Sequence, residues 1–209
     1  MNGSSNAHGE YFRKALQEAY QGADVNAQGG YFGNVLQAAS SEGYEKVLQV
    51  LVSLGADINA PGGYFGNALL AASSRGDEKM VQMLLDNGAD VNARAGHYCH
   101  ALLAALSRGH EKVVQILLGQ GADINAHGEY FRNALQEASI GVRDEVVQRL
   151  NVLQVAPVEG HEEIVQMLLD EGPGVNARGG YYGNALQTAS VRGHEKVAQM
   201  LLDNGAVTV

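Results

Sequence analysis

Apolar and polar positions along the chain alternate with a helical period, in short bursts separated by glycine. In Gly55–Asn87, Leu69 and Ala72 fall on one face of a short helix read over 68–73. Arg75-Gly76 is a turn, and Asp77 or Glu78 opens a second helix. There Val81, Leu84 and Leu85 share one face, with Glu78, Lys79 and Gln82 turned to water. Asn67 is placed to cap the first helix, because its side-chain oxygen can accept the bare amides of the opening turn. A carboxylate at the start of the second helix suits the positive end of its dipole. Gly88 ends that helix.

The same pattern recurs along the chain. Gly22, Gly55, Gly88 and Gly121 each open the phrase Gly-Ala-Asp-Val/Ile-Asn-Ala, and consecutive openings are 33 residues apart. A fixed period of this size is the sequence sign of a stacked array. Helices this short are marginal alone in water, so each unit must take its stability from its neighbours. Between the helix pairs, Val25, Ile58, Val91 and Ile124 alternate with polar residues. This pattern predicts a β-like finger whose apolar residue tucks under the helices.

The units run as follows. Residues 1–6 read as a disordered lead-in, and 7–209 as a single array. A partial unit covers 7–21, a loop and one helix, and full units cover 22–54, 55–87 and 88–120. The stretch 121–171 is irregular: its 51 residues are 15 short of two periods, which reads as the loss of one finger. One longer helix is expected over 144–156, ended by Pro157, and another over 161–170. The last unit is 172–204.

Composition narrows the function. The net charge is −9 over 209 residues, which disfavours a nucleic-acid partner. Cys99 is the only cysteine, so no internal disulfide is expected, in keeping with a reducing compartment. The start, MNGSSNAHGE, is polar and no apolar run approaches the length of a membrane helix. These features predict a soluble intracellular protein, cytoplasmic or nuclear, monomeric, without a membrane association. The block His97-Tyr98-Cys99-His100 holds potential zinc ligands, but its spacing does not meet that of a four-ligand site, so no metal or other cofactor is expected. No nucleophile elbow, zinc-protease pair, phosphate loop or paired-cysteine motif occurs, which points away from an enzyme.

The period, the paired short helices and the Gly-Ala-Asp-Val-Asn-Ala junction resemble the ankyrin repeat. The family's helix start, Thr-Pro-Leu-His, has its counterpart in Asn34-Val35-Leu36-Gln37, Asn67-Ala68-Leu69-Leu70, Asn133-Ala134-Leu135-Gln136 and Asn184-Ala185-Leu186-Gln187. Its Gly-His appears at Gly109-His110, Gly160-His161 and Gly193-His194. The Gly-Gly-Tyr-Phe/Tyr-Gly-Asn-Ala-Leu-Gln variant looks like repeats of large fungal ankyrin arrays. The resemblance implies an all-α ankyrin-repeat solenoid with β-like fingers. It also implies a non-catalytic scaffold that binds another protein through finger tips and the concave face of the first helices. Carried to matching positions, that surface comprises Tyr31, Tyr64, His97, Tyr130 and Tyr181 on the fingers. At the turn after the first helix it comprises Arg75, Arg108 and Arg192, with Glu42 in the first full unit. Two readings stay open for the aromatics: anchors for a partner, or packing that holds neighbouring fingers together, the latter especially for Phe32, Phe65, Phe131 and Tyr182. The alternative function is a fragment of a larger ankyrin-containing signalling protein.

Overall fold

The computed structural model describes residues 17–18, 21–96, 98–126, 159–172, 174–178 and 183–207. Helices come in pairs. The first pair is α1 (Val35–Glu42) and α2 (Glu45–Ser53), followed by α3 (Ala68–Arg75) with α4 (Glu78–Asp86), and α5 (Ala101–Arg108) with α6 (Glu111–Gly119). A single helix, α7 (Glu159–Asp170), precedes the last pair, α8 (Ala185–Val191) and α9 (Glu195–Asp203). Isolated antiparallel bridges pair Gly29 with Gly33, Gly62 with Gly66 and Ala95 with Cys99, one in each of the first three full units. The fingers are thus β-like, as expected.

The core is a row of layers with no single centre. The first helices of successive units pack on one another, α1 on α3 and α3 on α5, and each also packs on its own partner helix. Small residues make this possible: Ala38, Ala39, Ala71, Ala72, Ala104 and Ala105 are all buried, and backbones can close in where side chains stop at Cβ. The sequence assigned α3 one buried face, at Leu69 and Ala72. Ala68 through Ser74 are in fact all buried, because neighbouring first helices cover α3 on two sides and α4 on a third. On α4, Met80 joins Val81 and Leu84 in the core, while Leu85 and Gln82 are half-buried.

Local signals start these helices where the sequence places them, while α3 runs on to Arg75, two residues past the 68–73 read as helix. The Asn34, Asn67 and Asn184 side chains accept the amides of Gln37, Leu70 and Gln187, each at 2.8 Å. Asp77 caps α4 by accepting the Met80 amide at 3.0 Å. Val25, Ile58, Val91, Ile124 and Val175 are partly buried against the core at the finger bases.

A ladder of asparagines ties the finger bases together. Asn26 Oδ1 accepts the Asp57 amide (2.8 Å), Asn59 Oδ1 that of Asp90 (2.8 Å), and Asn92 Oδ1 that of Asp123 (2.7 Å). In return, Asn59 and Asn92 donate to the carbonyls of Gly88 and Gly121 at 2.9 and 3.0 Å. Each amide-to-Oδ1 rung joins residues 31 apart. The next rung, Gly174 amide to Asn125 Oδ1 at 3.3 Å, spans 49. The finger that opens at Gly172 is therefore seated directly after the one that opens at Gly121. In the second-helix row, α7 touches α6 on one side and α9 on the other. The helix read over 161–170 is α7, which begins two residues earlier. The one read over 144–156 lies outside the described residues.

The outer face of the second helices carries ion pairs from unit to unit: Lys79 to Glu45, Lys112 to Glu78 at 3.6 Å, and Lys196 to Glu162 at 3.4 Å. All are largely solvated, and such pairs contribute about 0.2–1 kcal/mol each.

Candidate partner-binding surface

Tyr31 and Tyr64 stand at equivalent positions of neighbouring fingers, 60% and 43% exposed. Their rings stack at 5.1 Å between centroids, 14° from parallel. Each ring also meets the edge of its own neighbour, Phe32 or Phe65, at 5.2 Å and near right angles. The Tyr64 amide donates to the Tyr31 carbonyl at 2.8 Å, so the fingers are joined through the backbone as well. The phenylalanines are half-buried packing, and the tyrosines pack sideways on each other while leaving a face to solvent. Burial of its surroundings, and then the Tyr64 and Tyr98 phenols, push the Tyr31 phenol above its ordinary range, so it stays a neutral donor.

The close approach of fingers has a backbone cause. A Cβ on Gly66 would overlap the Ala95–Gly96 peptide, and Gly66 also holds φ +90°. Only glycine fits both conditions. In the third unit the matching residue is Cys99, at φ 62°, and the next residue is His100 in place of the capping asparagine. His100 makes no side-chain cap hydrogen bond. Here the unit departs from the local rules its neighbours obey. The double variant C99G/H100N is expected to stabilise the protein by about 1–3 kcal/mol, by relieving a left-handed non-glycine residue and restoring a cap. Thermal and urea unfolding check it, and an unchanged or lower midpoint would count against this account.

Of the residues selected from the sequence, His97, Tyr130 and Tyr181 lie outside the described residues, as do Phe131 and Tyr182. The arginines at the turns are partly occupied by the fold. Arg75 donates from Nη1 to the Ser41 carbonyl at 2.9 Å and lies 3.9 Å from Asp77, bracing one unit on the previous one. Arg108 and Arg192 are half-buried. Beside Arg108, the His110 ring covers Gly76 and its Nε2 lies 3.1 Å from the Ser74 carbonyl. Burial, together with the Arg108 charge, lowers the His110 pKa against the opposing pull of the Ser74 carbonyl. The neutral ring is therefore the one suited to the fold.

The inner faces of the first helices offer little surface. Residues 68–74 of α3 and 101–107 of α5 are buried, so on this side of the units the exposed side chains lie at the two edges, fingers and turns. Two finger residues not selected from the sequence, Arg94 and Arg178, are exposed there. The signal was their shared place after Asn-Ala, at the foot of the finger tip. Among the described residues no group of three or more His, Cys, Asp or Glu is arranged to hold a metal ion. No helix of the described residues is long and apolar enough to cross a membrane.

A family model for ankyrin repeats (three copies) matches residues 36–128, 68–150 and 125–209. No curated protein matches the chain significantly. Paired short helices, glycine-turned fingers and an asparagine-laced junction recurring every 33 residues agree with that match, and the chain belongs to the ankyrin-repeat family.

Proposed function

We propose that this protein is a non-catalytic scaffold that grips another protein along its finger-and-turn edges. Ankyrin repeats are in general protein–protein interaction modules, and the family is typically non-catalytic. The observation that carries the reading further is the stacked pair Tyr31 and Tyr64, exposed on fingers that are themselves joined by a backbone hydrogen bond. A tyrosine ring already held in place has few rotamers left to freeze on binding, and presents a large apolar area with a hydroxyl at its end. Such residues dominate interface energetics.

The expected result is that Y31A/Y64A retains its helical content and releases its protein partner, with affinity reduced about tenfold or more. Affinity purification with wild-type and variant protein, followed by titration of the captured partner, measures this. Wild-type affinity in the variant would remove the fingers from the interface.

A further inference from the structure

Charge is sorted by residue type across this molecule. Every described lysine, namely Lys46, Lys79, Lys112 and Lys196, lies on a second helix, and three of them face a glutamate of the previous unit. Every described arginine lies on the other edges: Arg94 and Arg178 on fingers, Arg75, Arg108 and Arg192 at the turns after the first helices. Opposing charges at those turns are Glu42 and Asp77, and the Asp77 carboxylate is already engaged by the Met80 amide and by Arg75. The acidic row at the finger bases, Asp57, Asp90 and Asp123, is exposed, each carboxylate accepting the amide of its own asparagine at 2.9 Å. Beyond those bases, the described finger tips carry Arg94, Arg178, Tyr31 and Tyr64 and no acidic side chain, which makes them a cationic, aromatic margin in a chain of net charge −9.

We propose that this margin takes an acidic, extended segment of a partner protein, its carboxylates meeting Arg94 and Arg178 and its apolar side chains meeting the Tyr31–Tyr64 pair. The assignment rests on the scaffold reading above and names the chemistry of the partner. Guanidinium groups match carboxylates in a two-pronged geometry that ammonium groups lack. Complementary charge speeds encounter and rejects partners of the wrong sign. A nucleic acid fits less well, because a continuous polyanion would also run against the acidic finger bases and second helices.

The test uses the full chain and a labelled peptide of repeated Glu-Glu-Phe triplets, its Gln-Gln-Phe counterpart, and an oligothymidylate matched in charge. The glutamate peptide is expected to bind about tenfold or more tightly than the glutamine peptide, with affinity falling as salt rises. R94E/R178E is expected to abolish that preference. K46E/K112E, which makes the same change in net charge on the second helices, is expected to leave it within about twofold. Equal binding of the two peptides, equal effects of the two reversals, or tighter binding of the oligothymidylate would each overturn the proposal. A natural partner that is lost from Y31A/Y64A but kept by R94E/R178E would overturn it too, while leaving the scaffold reading intact.

Discussion

Leu84→Ala lowers the stability of the protein by about 2–5 kcal/mol. Leu84 is fully buried on α4, and its carbonyl accepts the Ala89 amide at the entry to the next finger. Removing the side chain forfeits its transfer energy and leaves a gap that short, mutually braced helices can close only by shifting against one another. In a linear array each unit is stabilised by its neighbours, so the loss reaches α6, which α4 touches in the same row, as well as α3, its own partner helix. Folded domains have only about 5–15 kcal/mol in hand, so this single change takes a large part of it. Denaturant unfolding by circular dichroism is the measurement. Leu85→Ala, one residue on and half-buried, is the control and should cost clearly less. Equal losses at the two positions would show that the row of layers does not bury Leu84 as described.

The second large effect is expected at Gly66. Gly66→Ala combines a left-handed backbone, worth about 1–2 kcal/mol against a non-glycine residue, with an overlap onto the Ala95–Gly96 peptide, worth about 1–3 kcal/mol. Gly88 separates the two contributions. It has nearly the same φ, +87°, and nothing lies within 4 Å of the place its Cβ would take. Gly88→Ala should therefore show the backbone cost alone, and Gly66→Ala a further loss. Melting curves of the two variants decide the matter. If they coincide, the fingers are not held at backbone contact.

Much of this fold could be read from the chain because each unit repeats one set of local instructions. The asparagine caps, the glycine turns and the apolar faces of the second helices all depend on neighbours a few residues away. What could not be read depends on contact between units. Burial of α3 on nearly all sides follows from packing on α1 and α5, which no amphipathic pattern within α3 announces. The engagement of Arg75 by Ser41 crosses from one unit to the next, so the sequence shows only a charged residue at a turn. The candidate surface was legible to the extent that Tyr31 and Tyr64 are exposed. Their stacking was not, because it follows from the glycines that let two fingers touch.

The long rung from Asn125 to Gly174 has a consequence for how such a chain can change over time. Docking there is decided by a side-chain amide meeting a backbone N–H, and 18 residues beyond the usual spacing leave that handshake in place. Spatial rhythm and genetic length are thereby uncoupled at this junction. The length of chain between two fingers can thus differ where the contact between their bases does not.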